Sequence, residues 1–280
     1  MKDKFSINID NSINSGQVFL WEKNGTDWYG INGQDILKIN ENGVIKSILN
    51  SKTNFFRKND NMQKIIKSIS KDEIVKKSVK QYEGLRIFKQ DPFQCMISFI
   101  ISSNSNIQKI KNSLEKIVKK FGKKVKIQNK EFFLFPKPEK LANASIEEIK
   151  KCGVGYRAPF IKQASKMIVL KKINFKYLEK CDYEKAKKNI CLVPGIGNKV
   201  ADCIMLFSLN KLEAFPLDTW MIKILEKYYS NEFKIETKTI TQKQYEILHE
   251  KIVNYFGPYC GYAQQFLFKM EREKYDKKWL

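Results

Sequence analysis

The chain has 280 residues, 42% of them hydrophobic, which is enough to bury the core of one large domain or two modest ones. Lysine and arginine number 52 against 30 aspartates and glutamates, and the net charge of +22 favours a polyanionic partner such as nucleic acid. A lysine-rich, compositionally biased surface is the alternative interpretation of this charge. The longest apolar run, near residues 95–101, is far shorter than the roughly 20 residues of a membrane helix, so no membrane span is predicted.

The six cysteines form no close pair along the sequence. Such spacing argues against a zinc site and against a disulfide framework. The first ten residues also lack the apolar stretch of a secretory signal. A reducing, cytosolic compartment is therefore expected.

The first fifty residues have the pattern of antiparallel strands. Apolar and polar residues alternate over residues 5–9. Asn-Gly pairs, the strongest short signal of a hairpin, lie between apolar runs at residues 24–25, 32–33 and 42–43. Turns of this kind in succession predict an antiparallel meander.

From about Met62 onward the apolar period becomes helical. Helices are predicted at residues 92–121, 145–170, 183–190, 199–209, 219–229 and 242–256. Ser145 and Glu148 predict a capping box at the start of one of them. The predicted fold class is α+β, with a small N-terminal antiparallel β-sheet domain followed by a larger all-helical domain. The sheet domain with its flanking helix is placed at residues 1–85, and the helical domain at residues 86–280.

A short glycine turn lies inside a predicted helix, hairpin and helix over residues 183–209. Its glycines accept positive φ and leave backbone amides uncovered. Uncovered amides and the positive end of the following helix can grip a DNA phosphate. This phosphate contact is assigned to Gly195, Ile196, Gly197 and Val200. A hairpin that only anchors DNA fits the same pattern.

Lys199 falls in the first turn of the helix after the hairpin. It is either an ordinary phosphate-contacting lysine, as is usual in a basic protein, or a nucleophile. A helix N-terminus and partial burial both favour the neutral amine, which can attack an electrophilic sugar carbon and form a Schiff base. Asp218 can cap the next helix or assist catalysis, and a rigidly held capping carboxylate can do both.

Several stretches of the chain resemble one known family. They are LVPGIGNKVADC at residues 192–203, AFPLD at 214–218, SGQVFLW at 15–21, DPFQCMISFIISSNSNI at 91–107, GVGYRAPF at 153–160 and FGPYCGYAQQFLF at 256–268. Together they resemble the helix-hairpin-helix DNA glycosylase superfamily, and in particular its 8-oxoguanine DNA glycosylase branch. A single G-x-G motif is a weak signal, whereas several ordered motifs over nearly the whole chain are a strong one.

The resemblance implies a catalytic pair and a base pocket. Lys199 is the nucleophile that attacks C1′ of the damaged nucleotide, and Asp218 helps to deprotonate it and stabilises positive charge developing on the sugar. The Gly16 carbonyl reads the N7 hydrogen that 8-oxoguanine has and guanine lacks. Cys203 and Phe268 sandwich the flipped base. The remaining base contact, to the Watson–Crick edge, is made by Gln264.

The resemblance also implies contacts to the opposite strand. Asn104 fills the vacated space, Tyr156 is a wedge beside it, and Arg157 bonds the orphaned cytosine. Lys109 stands where the family often has a second cytosine-reading arginine, which puts a strict preference for cytosine in question because lysine lacks the planar fork. Trp220 replaces a histidine that some members have near the phosphate.

The function predicted from these residues is a bifunctional DNA glycosylase and AP lyase that excises 8-oxoguanine in base excision repair. Its partner is double-stranded DNA containing oxidised guanine, and no metal or organic cofactor is expected because the lysine is the covalent catalyst. A monomer is expected, in the cytoplasm and with the nucleoid of a prokaryotic cell. A glycosylase of the same superfamily for another damaged base, and a non-catalytic DNA-binding protein, are the alternatives.

The chain has a single histidine, His249. It lies in a lysine- and glutamate-rich helix. It is predicted to be a surface residue without a catalytic role.

Overall fold

A four-stranded antiparallel sheet forms the N-terminal part of the fold. The computed structural model describes residues 7–40, 45–47, 49, 54–127, 130–235 and 240–276. The strands are β1 (Trp21–Asn24), β2 (Asp27–Asn32), β3 (Asp35–Ile39) and β4 (Ile45–Ser47), in the spatial order β1-β2-β3-β4. The rest of the described chain is mainly helical, so the predicted α+β class is confirmed.

Two of the predicted Asn-Gly turns connect the strands. The turn at residues 24–25 joins β1 to β2, and the turn at 32–33 joins β2 to β3. Gly25 and Gly33 have φ values of 62° and 61°, a region that glycine enters without steric cost. The third predicted turn, at residues 42–43, lies outside the described residues.

The prediction of a strand over residues 5–9 is wrong for residues 7–9, which the structure describes. Residues Ile9–Ile13 form a short helix, α1, whose N-cap Asn8 accepts a hydrogen bond from the Asn11 amide. Ile9 and Ile13 are both buried, and their spacing of one helical turn places them on the same face. Residues 5 and 6 lie outside the described residues.

The helices follow the predicted segments closely from residue 183 onward. After α1 they are α2 (Met62–Ile69), α3 (Glu73–Gln81), α4 (Pro92–Ser102), α5 (Ile107–Phe121), α6 (Pro138–Asn143), α7 (Ile146–Ile149), α8 (Ala158–Val169), α9 (Phe175–Lys180), α10 (Tyr183–Ile190), α11 (Asn198–Ser208), α12 (Thr219–Tyr228), α13 (Gln242–Phe256) and α14 (Cys260–Asp276).

Two long predicted helices are broken. The segment 92–121 divides into α4 and α5, and Asn104 between them has a φ of 50°, which no α-helix accommodates. The segment 145–170 begins with the predicted capping box of Ser145 and Glu148, but irregular turns over Lys150–Arg157 separate α7 from α8. Gly153 within them has a φ of 81° and interrupts the helical backbone.

Several elements were not predicted, among them the short helices α6 and α9. A second hairpin pairs Lys124–Ile127 (β5) with Lys130–Phe133 (β6). The C-terminal helix α14 is buried on all sides from Cys260 to Leu267, so its sequence shows no apolar stripe of helical period.

The chain buries two apolar clusters. The smaller lies under the sheet and includes Trp21, Trp28, Phe55 and Phe88. The larger occupies the helical part and also takes in side chains of α2 and α3. The boundary predicted at residues 85 and 86 stays a prediction.

The glycine hairpin joins α10 to α11. Gly195 has a φ of 83°, and the Ile196 amide donates to the Val193 carbonyl at 3.1 Å to close the turn. A Cβ at Gly195 would lie 2.5 Å from the ring of Phe160. Gly197 is different, because its φ of −95° and ψ of −179° are extended backbone that any residue adopts. The prediction of positive φ therefore holds for the first glycine alone.

None of the helices in the described ranges is long and apolar enough to cross a membrane. All six cysteines are free, and four of them are fully buried.

Gly195→Ala is expected to lower the free energy of unfolding by about 1–3 kcal/mol, because the new Cβ combines left-handed backbone with a clash against Phe160. Gly197→Ala is the matched control, since a Cβ there meets no atom within 4 Å. Urea denaturation of both variants measures the difference. Equal losses in the two variants would contradict this account of the turn.

Candidate active site

Lys199 lies in the first turn of α11, at the mouth of the hairpin, as predicted. Its Nζ is 3.4 Å from Ser102 Oγ at the end of α4 and 5.7 Å from the ring centroid of Phe99. No side-chain cap covers the N-terminus of α11, which begins after Gly197. The structure thus presents a partly buried amine between the end of α4 and the start of α11.

Asp218 is the N-cap of α12, and its Oδ1 accepts hydrogen bonds from the amides of Trp220 and Met221 at 3.0 and 2.8 Å. The predicted cap is confirmed. Burial raises the pKa of the Asp218 carboxyl, and the nearby Lys199 ammonium acts in the opposite direction. The amine and the carboxylate therefore interact electrostatically.

Cys203 lies one turn after Lys199 on the same face of α11. The side chain is buried, and burial raises the pKa of its thiol to about 12, with Lys199 opposing the shift. A neutral thiol therefore forms an apolar wall beside the amine.

The loop at Gly16, near the N-terminus, packs against Phe268 on the C-terminal helix α14. Gly16 has a φ of 82°, and a Cβ there would lie 3.1 Å from Phe268 Cε1 and 3.1 Å from Arg272 Nη1. Gln264, one turn earlier on α14, is buried, and its Oε1 has no hydrogen-bond partner in the part of the chain that the structure describes. A buried acceptor without a partner is costly, so this oxygen is suited to a ligand donor.

The predicted opposite-strand residues form a second cluster. Arg157 Nε donates to the Ser103 carbonyl at 3.0 Å, and Nη2 donates to the same carbonyl and to the Asn104 carbonyl, the latter at 3.1 Å. The guanidinium also stacks 4.4 Å from the ring centroid of Tyr156, which is exposed. Lys109 lies on the exposed side of α5, where its amide donates to Asn106 Oδ1.

The four predicted phosphate contacts differ in exposure. Gly195 and Gly197 are exposed, whereas Ile196 and Val200 are buried. The Ile196 amide is engaged within the turn, and Val200 can offer only its backbone amide to a ligand. The phosphate contact itself stays a prediction.

A buried polar network that the sequence patterns did not predict is built around Asp202, three residues after Lys199 on α11. Asp202 is fully buried on α11 and accepts hydrogen bonds from Tyr183 at 2.7 Å and from Tyr245 at 2.5 Å. Lys187 lies 3.6 Å from the same carboxylate and donates to the Tyr183 hydroxyl at 2.8 Å. The signal was available in the sequence, because Asp202 is a charged residue inside an otherwise apolar helical run.

Tyr245 extends this network to the segment that carries Asp218. Its hydroxyl accepts a hydrogen bond from the Leu217 amide at 3.1 Å while it donates to Asp202. Burial and the adjacent carboxylate raise the pKa of Tyr245 well above its usual range, which keeps the hydroxyl a donor. One phenol therefore links the helix of Lys199 to the residue before Asp218.

His249 belongs to the same network, and its predicted surface position is wrong. The side chain is buried, stacks on Tyr183 with ring centroids 4.7 Å apart, and its Nε2 donates to the Glu213 carbonyl at 2.9 Å. His249 lies one turn after Tyr245, on the buried face of α13. The lysines and glutamates that suggested exposure lie on the other faces of the helix.

Among the residues that the structure describes, no group of three or more histidine, cysteine, aspartate or glutamate side chains is arranged to hold a metal ion.

Comparison with known proteins identifies two matching families. A model of the HhH-GPD superfamily of base excision DNA repair proteins matches residues 97–250, and a model of the 8-oxoguanine DNA glycosylase N-terminal domain matches residues 1–96. The N-glycosylase/DNA lyase OGG1 of Arabidopsis thaliana is 29% identical over 277 residues, which are 92% of this chain and 75% of that protein. A probable N-glycosylase/DNA lyase of Methanothermobacter thermautotrophicus is 30% identical over 209 residues, 68% of this chain and 64% of that protein.

Solved structures agree with these matches. The Clostridium acetobutylicum 8-oxoguanine glycosylase/lyase, in complex with double-stranded DNA containing cytosine opposite 8-oxoguanine, has a TM-score of 0.85 and 31% identity. The alignment covers 96% of this chain and 93% of that chain. The 3-methyladenine DNA glycosylase of Archaeoglobus fulgidus has a TM-score of 0.75 but 18% identity, covering 97% of this chain and 98% of that chain, a similarity that shows the fold alone.

Tyr245→Phe is expected to lower the free energy of unfolding by about 1.5–3 kcal/mol, because it removes one of the donors to the buried Asp202 carboxylate and leaves the buried Leu217 amide without its acceptor. Tyr255→Phe is the control, since that hydroxyl makes a longer bond of 3.3 Å to Asp72 in a half-buried position. Urea denaturation measures both. A loss for Tyr245→Phe no larger than the control's would argue against the network.

The stability of the fold is expected to depend on pH through His249. Burial lowers the pKa of His249 in the folded chain, so the unfolded chain binds the proton more readily. The stability that neutral His249 contributes is fully present above about pH 6.5, the pKa in the unfolded chain. It is lost as the pH falls from there through the lower pKa of the folded chain. His249→Gln, which keeps a donor but does not titrate, should lose less stability than the parent between about pH 7.5 and about pH 5 in urea denaturation. Identical losses would contradict the assignment.

Proposed function

This chain belongs to the HhH-GPD superfamily of base excision DNA repair proteins, and from that membership we propose that it excises 8-oxoguanine from double-stranded DNA as a bifunctional glycosylase and AP lyase. The observation that carries the proposal is the partly buried amine of Lys199 at the mouth of the hairpin, which interacts electrostatically with the half-buried N-cap carboxylate of Asp218. The relatives named N-glycosylase/DNA lyase support the same pair of activities.

Lys199 is proposed as the nucleophile. Its neutral amine forms a bond to C1′ of the flipped nucleotide, the C1′–N9 bond breaks, and the base leaves with the electron pair and takes up a proton. Loss of a proton from the lysine nitrogen and opening of the sugar ring give a Schiff base. Removal of a C2′ proton then expels the 3′ phosphate by β-elimination, which nicks the strand. The lysine is the covalent catalyst, so the proposal requires no metal or organic cofactor.

Asp218 is proposed to stabilise the positive charge that develops on the sugar and to help deprotonate the amine. Its two hydrogen bonds from the amides of α12 hold the carboxylate in one orientation. Because Oδ1 accepts both bonds, Oδ2 remains the oxygen directed to the reaction. Capping and catalysis are thus divided between the two oxygens of one side chain.

The base pocket is proposed to lie between α11 and α14. Phe268 and Cys203 hold the two faces of the base, and the Gly16 carbonyl accepts from its N7 hydrogen. The unpartnered Oε1 of Gln264 is an acceptor for the N–H groups on the Watson–Crick edge of 8-oxoguanine. The buried acceptor supports this assignment because binding would satisfy it.

The opposite strand is proposed to meet the cluster of Asn104, Tyr156 and Arg157. Their mutual contacts support a common role, with the exposed tyrosine ring as the wedge. Lys109 contributes a point charge to this surface. The exposed glycines of the hairpin, Gly195 and Gly197, are proposed to approach a phosphate through the amides at the start of α11.

The sheet with its separate apolar cluster supports a distinct N-terminal domain. The proposed bounds are residues 1–85 for this domain and residues 86–280 for the helical domain. The proposed place of action is with the chromosomal DNA, in the cytoplasm and nucleoid of a prokaryotic cell. A monomer remains the expectation.

Borohydride trapping tests the proposed chemistry. The protein is mixed with a duplex that contains one 8-oxoguanine opposite cytosine, and reduction is expected to yield a covalent protein–DNA adduct on a denaturing gel. Lys199→Gln should abolish the adduct. Asp218→Asn should lower base release by about 10²–10⁴-fold while α12 stays capped, because asparagine is also a good N-cap.

An undamaged duplex and a duplex with a methylated purine are run alongside. Base release without an adduct would mean that water is the nucleophile instead of Lys199. Release of the methylated base alone would favour the alternative glycosylase. Absence of both release and adduct would leave a non-catalytic DNA-binding protein.

A further inference from the structure

The loop of residues 15–17 is held by two buried glutamine side chains. Gln265 Nε2 donates to the Ser15 carbonyl at 2.7 Å, and Gln90 Nε2 donates to the Gln17 carbonyl at 2.8 Å. Both glutamines are nearly inaccessible to solvent, with 2% and 4% of their surface exposed. The carbonyls on either side of Gly16 are therefore fixed.

The carbonyl between them is left without a donor. Within the ranges that the structure describes, no group donates a hydrogen bond to the Gly16 carbonyl. Gly16 is partly exposed and lies against Phe268. The loop thus presents one unpaired acceptor between two satisfied ones.

The side chain of Gln17 anchors the loop from below. Its Nε2 donates to the Ser15 hydroxyl at 2.9 Å and to the Arg86 carbonyl at 2.8 Å, and its Oε1 accepts from the Phe88 amide at 2.8 Å. These contacts hold the loop on the N-terminal side. Two side chains of α14 also donate to this region: Gln265, whose bond to the Ser15 carbonyl spans 250 residues of sequence, and Lys269, whose Nζ is 3.5 Å from the Asn14 carbonyl. The bond from Gln265 is the shorter of the two and is made next to Gly16.

Gln265 is placed to connect the loop with the base pocket. It follows Gln264 directly and precedes Phe268 by three residues on α14. The helix that carries the proposed edge-reading and stacking side chains therefore also sets the position of the Gly16 carbonyl. A shift of the loop relative to α14 would separate these contacts.

We propose that Gln265 is a specificity-determining positioning residue, which clamps the Ser15 carbonyl so that the Gly16 carbonyl keeps a fixed place against the base. The proposal rests on the proposed excision of 8-oxoguanine. An acceptor rejects guanine only if it cannot move away from guanine N7, because a yielding carbonyl relieves the repulsion between two acceptors. The same fixed carbonyl is already in place to accept a hydrogen bond from N7–H of 8-oxoguanine.

Gln265→Met tests the clamp, because methionine has a similar length but no donor. The chain offers Gln94→Met as a matched control: Gln94 is also a buried cross-chain amide, donating to the Ile31 carbonyl and accepting from the Gly33 amide, each at 2.8 Å. Single-turnover release of 8-oxoguanine is compared with nicking of a duplex that contains an abasic site. Abasic DNA has no base for the loop to read.

Gln265→Met is expected to slow release of 8-oxoguanine by about tenfold, with nicking of the abasic duplex within about twofold of the parent. Gln90→Met removes the donor to the Gln17 carbonyl and should likewise slow base release without slowing nicking. This variant replaces Gln265→Met in the test if Gln265→Met does not fold. Gln94→Met should change base release and nicking by the same factor. In a Lys199→Gln background, Gln265→Met should also reduce the preference for an 8-oxoguanine duplex over a guanine duplex by about tenfold.

Equal losses of release and nicking in Gln265→Met, or a loss of release without a loss of nicking in Gln94→Met, would mean that the bond only supports the fold, and the proposal would fail. Unchanged release would overturn it as well. If the parent nicks abasic DNA but releases no 8-oxoguanine, the proposed function fails and the clamp fails with it.

Discussion

The buried carboxylate of Asp202 constrains the helix on which the proposed chemistry depends. A charge without access to water is tolerated only when donors surround it, and here two phenols and an ammonium group do so. These donors come from α10 and α13, so α11 cannot rotate about its axis without breaking them. Lys199 and Cys203 are carried on that helix. Their directions are therefore set in part by hydrogen bonds that Asp202 makes on the same helix.

The same network reaches the second member of the proposed catalytic pair. Tyr245 binds Asp202 with its proton and the Leu217 amide with its lone pair, and Asp218 is the next residue. The hydroxyl of Tyr245 thus contacts both the helix that carries Lys199 and the residue before Asp218. His249 closes the network by stacking on Tyr183, which explains how the single histidine of a basic chain can be structural and far from solvent.

The proposed base pocket is assembled from the two ends of the chain. Its loop follows α1, its floor belongs to α14, and buried glutamine amides join them. Amide side chains suit this task because they satisfy backbone carbonyls without bringing a charge into the interior.

The sequence by itself determined the features that depend on near neighbours. The capping box at Ser145, the cap at Asp218, the Asn-Gly turns and the place of Lys199 in a first turn all follow from residues within about four positions of one another. It also determined the family, because ordered motifs span the chain.

Only the tertiary structure decided the rest. The helix α14 is buried on all sides from Cys260 to Leu267, His249 lies on the buried side of a charged helix, and Asp202 has its partners on other helices. Residues 9–13 became a helix because Ile9 and Ile13 pack under the sheet. Each of these outcomes is set by contacts between residues far apart in sequence, and the energy of such contacts outweighs the local pattern.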